Sequence, residues 1–194
     1  MNYNKLAEEA HENAVKHGFW ETKVSNEHCL MLVITEIAEM VEAHRISRKA
    51  STAAYNEMLN KQIGFEKFIK NTMEDEMADI VIRLADLAGA LGVNFDKMLP
   101  CRYYRAYSKF SFTENAFALS KGLCRDGIGI EKRIQFGLDF VTKWAQELNI
   151  ELAFFVAQKM RYNVMRPYRN GKQYLCHAFH CDNRKPLNRG TNNG

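Results

Sequence analysis

Apolar residues recur at helical spacing over most of the chain. Residues 6–16 form a first amphipathic stretch that stops at Gly18. Leu30, Val33, Ile34, Ile37 and Val41 make the stripe of a second, which starts after Ser25 or Asn26 and runs to about residue 48. A polar segment over 47–64 follows, with a short helix expected near 55–59. Asn71 and Thr72, each with an acid three positions later, announce a further helix from about 72 to 91, stopped by Gly92. Residues 95–107 read as helical apart from Pro100, and 110–126 are ambiguous. Helices are expected over about 130–148 and 151–165, the last ended by Pro167. The pattern predicts an all-α fold, an antiparallel helical bundle in one domain over about 1–175. The tail 182–194, rich in Asn, Arg and Gly, is expected to be disordered.

Composition narrows the function classes. With 194 residues, 46% of them hydrophobic, the chain can bury one sizeable core but hardly two. The net charge of +4 is modest, and the basic excess gathers late, at Arg161, Arg166, Arg169, Lys172, Arg184, Lys185 and Arg189. Such a region can serve a phosphate-bearing ligand without requiring a nucleic-acid groove. Five cysteines in no repeated Cys-x-x-Cys spacing predict a reduced, cytoplasmic setting. The longest apolar runs fall well short of the ~20 residues of a membrane span, so no membrane partner is expected.

The chemistry is suggested by two acidic pairs. Residues three apart on a helix project from neighbouring turns toward one point. Glu36 and Glu39 border the apolar stripe of the second helix, and Glu76 and Asp79 border that of the helix from 72, with Arg83 and Asp86 extending the same face. Packing the two stripes together brings the four carboxylates toward each other. Carboxylates at a packed seam repel and lose hydration unless a cation neutralises them. An oxygen-only set suits Mg²⁺, with Mn²⁺ as a substitute. The plain alternative is a pair of solvated helix faces with local ion pairs, such as Asp79 with Arg83. Trp20 and Phe19, just ahead of the second helix, offer either a stacking wall for a base or ordinary core aromatics.

Residues 35–43, Thr-Glu-Ile-Ala-Glu-Met-Val-Glu-Ala, and 74–89, beginning Glu-Asp-Glu-Met-Ala-Asp, resemble the two metal motifs of MazG-like nucleoside triphosphate pyrophosphohydrolases. Residues 159–168, Lys-Met-Arg-Tyr-Asn-Val-Met-Arg-Pro-Tyr, with Gly171-Lys172, resemble that family's closing helix and basic extension. The resemblance covers about 5–93 and 148–174. It implies an all-α bundle of that family's type, and Mg²⁺-dependent hydrolysis of a (deoxy)nucleoside triphosphate to the monophosphate and pyrophosphate, as in nucleotide-pool sanitation. It implies Glu36, Glu39, Glu76 and Asp79 as metal ligands, with Glu39 also orienting or deprotonating the attacking water. It further implies a substrate-binding set of Trp20, Arg83, Asp86, Lys159, Tyr162, Asn163, Arg166 and Lys172, and assembly as a homodimer or homotetramer.

About 96–147 look inserted relative to the family. The junction Leu91-Gly92-Val93-Asn94-Phe95 is nearly repeated by Leu148-Asn149-Ile150-Glu151-Leu152, which predicts a helical pair carrying Trp144 that leaves and re-enters the bundle at one place. A di-iron carboxylate bundle is disfavoured, because it needs two Glu-x-x-His pairs and only Glu8-x-x-His11 is present. A catalytically silent helical adaptor or a nucleic-acid-binding module is the reading from another class. The Cys176-His177-Ala178-Phe179-His180-Cys181 segment has soft ligands but no second cluster, and it is left outside the site.

Overall fold

Short polar side chains set where five of the helices begin. Asn2, Ser25, Asn60, Thr72 and Ser111 each accept a hydrogen bond from a backbone N–H two or three positions on, satisfying donors that have no partner inside the helix. The computed structural model describes residues 1–99 and 105–168. Its order is α1 (Tyr3–Lys16), α2 (Asn26–Arg45), α3 (Thr52–Glu57), α4 (Lys61–Phe68), α5 (Met73–Ala90), α6 (Phe112–Leu123), α7 (Ile130–Glu147) and α8 (Leu152–Val164). The fold is all-α, and no helix among the described residues is long and apolar enough to cross a membrane. Lys172, the Cys-His segment 176–181 and the tail 182–194 lie outside the described residues.

Three local expectations are corrected. Helix α2 ends at Arg45, because Ser47 turns to a φ of 56° and Arg48 N–H closes back on Ala43 O at 2.8 Å. Helix α4 arises inside and just past the segment read as polar, where the Asn60 side chain accepts from both Gln62 and Ile63. Residues 95–107 form no continuous helix: Phe95–Lys97 is a single 3₁₀ turn, and Phe95 N–H donates to Asn4 Oδ1 at 2.9 Å, which diverts the chain at its first turn.

Helix α5 is the axis of the bundle. It is buried on nearly every side, through Met77, Ile80, Val81, Leu84, Leu87 and Ala88 among others, and it packs on α1, α2, α7 and α8. Contacts along its length fix the directions. His11 meets Asp86 while Ala7 lies against Gly89, and Glu36 meets Arg83 while His44 and Arg45 share a depression with Met73. So α1 and α2 both run opposite to α5. Helix α8 runs with it, from Glu151 beside Glu74, through Lys159 on Asp75 and Asp79, to Arg166 beside Arg83 and Asp86.

The α1–α5 crossing depends on Gly89, where an added Cβ would lie 2.4 Å from Ala7 O. That neighbour is backbone, so relief requires a whole helix to shift. Gly89→Ala is therefore expected to destabilise by about 1–3 kcal/mol, despite the ~1 kcal/mol that Ala contributes in an unconstrained helix. Urea unfolding checks the sign, and a stabilised variant would contradict this packing.

Residues 112–147 are part of the main bundle. Helix α6 runs opposite to α7, with Phe112 on Trp144 and Gly122 on Phe136, and α6 also packs on α2 through a His44–Phe112 stack at 3.9 Å. Helix α7 lies on α5, with Gly137 against Leu84, and buries Trp144. Helices α6 and α7 thus cover the α2–α5 pair as a second pair.

The near-repeated junctions have a local cause. Gly92 and Asn149 both adopt left-handed backbone, φ 63° and 57°, and the next N–H closes on the carbonyl five positions back, Val93 on Ala88 and Ile150 on Ala145. Both are helix-ending motifs after helices of 18 residues. They do not lie at one place, as the sequence suggests. Asn149, Ile150 and Glu151 border a depression with Ala50 and Glu74, at the opposite end of α5 from Gly92 and about 27 Å along the axis for 18 residues. Helix α7 carries the chain back, which is why α8 parallels α5.

Candidate metal centre and adjoining cavity

Glu36 projects from α2 and Glu76 and Asp79 from α5, and each offers an oxygen within 4.8 Å of the other two. Glu36 and Glu76 are buried, at 5% and 3% exposure, and Asp79 is half-buried. Glu39, one turn further along α2, is exposed and outside this convergence, although its charge acts on Glu36. The structure thus brings together three of the four proposed ligands.

Two cations offset part of this charge. Arg83 Nε donates to Glu36 Oε1 at 2.5 Å. Lys159, itself buried, reaches from α8 to Asp75 Oδ2 at 2.9 Å and Asp79 Oδ2 at 2.6 Å. Asp75 was not singled out from the sequence as a site residue, and it is the most buried acid of the group, at 0% exposure. Its Oδ2 also accepts from Asn71 N–H at 2.9 Å, while its Oδ1 is buried with no hydrogen-bond partner among the described residues. Neighbouring Glu74 has a structural task, accepting from Ala50 N–H at 2.9 Å.

The electrostatics identify the acid left uncompensated. Burial, then the charges of Asp79 and Asp75, push the Glu76 carboxyl up to about 9. Burial raises Asp75 to about 6 with Lys159 opposing, and burial raises Glu36 with Arg83 opposing. Burial pulls the Lys159 ammonium down, but Asp79 and Asp75 outweigh it and hold the group above its ordinary value. A set of two buried carboxylates with a third at the edge, one of them left without a cation opposite it, fits a hard divalent cation.

A pH dependence follows. Without a cation, Glu76 keeps its proton at neutral pH, and a cation must displace it. Affinity for a divalent cation is expected to rise with pH up to about 9, by as much as about tenfold per unit for one released proton. In the metal-free chain the raised carboxyl contributes stability that is fully present below the ordinary value of 4.5 and is lost as pH rises through about 9. Calorimetric titration in buffers of different ionisation enthalpy reads the proton directly. Affinity that is flat between pH 6 and 9 would contradict this assignment.

A cavity of about 190 Å³ adjoins the acids, with Asp79, Ile82, Arg83 and Asp86 of α5 along one wall. Ala10, Asn13 and Ala14 of α1, His17, Phe19, Trp20 and Val24 of the connection, and His28, Cys29 and Leu32 of α2 form the others. Asn163 of α8 and Arg166 just past its end close it. Asp86 Oδ1 accepts from Trp20 Nε1 at 2.9 Å and, as a carboxylate, from His11 Nδ1 at 2.9 Å. Burial raises the Asp86 carboxyl, and these two hydrogen bonds oppose the rise.

Trp20, Arg83, Asp86, Asn163 and Arg166 of the proposed substrate set therefore share one cavity. Lys159 is instead committed to the buried acids. Tyr162 faces α4, stacked on Phe65 at 4.5 Å, with its hydroxyl donating to Glu66 Oε1 at 3.1 Å. Lys172 lies outside the described residues. The sequence reading passed over Asn13, His17, His28 and Cys29, and took His11 only as half of a Glu-x-x-His pair. Their positions follow from the packing of α1 and α2 around Asp86, a contact spanning 75 positions between His11 and Asp86.

A wider concavity, about 1450 Å³, is bordered by α6, α7 and residues 97–99 and rimmed by Lys121, Arg125, Lys132 and Arg133, with Phe117 and Phe136 on its walls. Laying α7 on α5 from their first residues sets Arg133 against Glu76 and Phe136 against Asp79. Laying Thr113-Glu114-Asn115-Ala116-Phe117 on Thr35-Glu36-Ile37-Ala38-Glu39 sets Phe117 against Glu39, and leaves Glu114 in the capping box of α6. The second helix pair thus resembles the first in layout but keeps only one of its four acids, Glu114, and that one is used in a cap.

No family model, curated protein or solved structure matches the chain.

Proposed function

We propose that this chain is a Mg²⁺-dependent nucleoside triphosphate pyrophosphohydrolase, of the MazG-like kind its motifs resemble, acting on the cytoplasmic nucleotide pool. The observation that carries the reading is the convergence of Glu36, Glu76 and Asp79 beside a cavity that runs along α5 to Asp86 and Trp20. Asp79 and Asp86 are seven residues apart, about 10.5 Å of helix rise. That length matches the reach of a nucleotide from its α-phosphate to the far edge of its base.

Glu36, Glu76 and Asp79 would hold the Mg²⁺, or Mn²⁺ in its stead, with Asp75 behind them. When bound, the cation supplies charge neutralisation for the phosphate oxygens and an acidified water. The exposed Glu39 carboxylate, one turn along α2 from Glu36, suits orienting or deprotonating that water. Arg166 and Arg83 bring guanidinium groups to the same cavity, where a planar fork binds phosphate oxygens. Lys159 keeps the acids close enough to act together. Because α6 and α7 already cover α2 and α5, self-association as a dimer or tetramer would use another surface.

Chromatographic identification of the products tests the reading. Monophosphate and pyrophosphate, formed only with a divalent cation, are expected from at least one (deoxy)nucleoside triphosphate. Diphosphate and orthophosphate as first products, or no turnover of any nucleotide by the folded protein, would overturn it.

A further inference from the structure

The cavity contains one fixed acceptor that the phosphate chemistry does not use. Asp86 lies two turns from Asp79, and its Oδ1 is taken by Trp20 Nε1 and His11 Nδ1 at 2.9 Å each. The two rings brace each other edge to face at 5.1 Å. Asp86 Oδ2 receives no hydrogen bond from any described residue, and Asp86 lines the cavity with Trp20. Two donors from different elements therefore hold the carboxylate still, with one oxygen left to receive a ligand. A water-facing surface acid needs no such bracing.

From this we infer that Asp86 selects the nucleobase, favouring bases with an exocyclic amino group, cytosine, adenine or guanine, over uracil and thymine. The inference rests on the hydrolase reading above. A base stacked beside Trp20 brings its hydrogen-bonding edge to Asp86. An amino group donates to Oδ2 directly. Uracil and thymine offer a single ring N–H between two carbonyl oxygens, and those oxygens face a carboxylate with like partial charge. A site that hydrogen-bonds one group discriminates strongly against its replacement, because the mismatched base leaves a buried charged acceptor unpaired. Asn13 and Asn163 also reach the cavity, but each amide can turn to donate or accept, so neither sets a preference.

The test compares kcat/KM for dCTP, dATP and dGTP with that for dUTP and dTTP, in Mg²⁺, for the wild type, Asp86→Asn and Trp20→Phe. At least one amino-bearing nucleotide is expected to exceed both keto nucleotides by roughly 10- to 100-fold. Asp86→Asn keeps an oxygen for Trp20 and His11 but turns an N–H2 toward the base, and is expected to reverse the preference. Trp20→Phe keeps a ring on the wall and removes one brace, and is expected to bring the ratio toward one, which serves if Asp86→Asn fails to fold. Hydrolysis with no preference or a keto preference in the wild type, or an unchanged ratio in both variants, overturns the inference and leaves the hydrolase reading standing. If no nucleotide is cleaved, the hydrolase reading fails on its own, and equilibrium dialysis of the same five nucleotides decides base selection: equal retention overturns it.

Discussion

Replacing Glu76 with Gln is expected to abolish cation-dependent pyrophosphate release, by at least about 100-fold in kcat/KM, while leaving the metal-free fold intact at pH 7. The two halves share one cause. Glu76 is buried beside Asp79 and Asp75, and in the metal-free chain its carboxyl is held up to about 9, so at neutral pH it is already uncharged. Gln has nearly the same shape and the same charge as that protonated acid. The melting temperature without metal is therefore expected not to fall, and at pH 7 to rise, because the variant keeps the stability that the wild-type carboxyl contributes below 4.5 and has partly lost by neutral pH. The variant cannot become the anion that a hard cation requires, and removing several kcal/mol of charge stabilisation converts to the stated loss at about 1.4 kcal/mol per factor of ten. Added Mg²⁺ should raise the melting temperature of the wild type and leave that of the variant unchanged. A variant that unfolds without metal would show that Glu76 serves the fold instead.

Lys159→Met should behave in the opposite way, with stability lost first. Its ammonium is the direct ion-pair partner of Asp75, which is fully buried and has one oxygen without a hydrogen-bond partner among the described residues. Breaking a buried pair by removing one member typically costs about 3–5 kcal/mol, because the remaining charge stays buried. That corresponds to a fall of roughly 6–20 °C in melting temperature. Asp75 sits at about 6 with Lys159 present, and without that cation it is protonated more readily. The loss is therefore expected to be smaller at pH 5 than at pH 8. A variant that keeps its melting temperature and loses only turnover would place Lys159 on the substrate's phosphates, as the family resemblance alone implies.

The two predictions separate what was legible in the sequence from what was not. The acids of α2 and α5 could be read because they obey local rules, a three-residue spacing at the edge of an apolar stripe, behind the Ser25 and Thr72 caps that the sequence suggests and the structure contains. Asp75 obeyed a local rule too, and the rule hid it. Three residues after Thr72 it reads as a capping partner, and nothing nearby announces that Lys159, 84 positions away, will pair with it. The same holds for His11, whose place is set by Asp86 across the α1–α5 crossing. Helix α4 was missed because Lys61, Gln62 and Gly64 dilute its apolar pattern, whereas Asn60 binding two N–H groups starts it regardless. The return path of α7 was misread because one helix-ending motif serves both Gly92 and Asn149, and similar ends do not imply a shared location.

The resemblance in layout between the α2–α5 and α6–α7 pairs bears on assembly. The register that sets Glu76 and Asp79 in the first pair sets Arg133 and Phe136 in the second, so among the described residues the first pair carries the acidic cluster and the second borders a cation-rimmed cavity. Cation binding at that cluster is accordingly expected once per chain in kind, whatever number of ions the cluster holds.

Everything proposed for this chain depends on Glu36, Glu76 and Asp79 holding a divalent cation, and Mn²⁺ titration followed by electron paramagnetic resonance measures that directly. Saturable loss of the free Mn²⁺ signal with the wild type, reversed by excess Mg²⁺ and absent with Glu76→Gln, is the predicted result. No binding by the wild type, or equal binding by the variant, would contradict it.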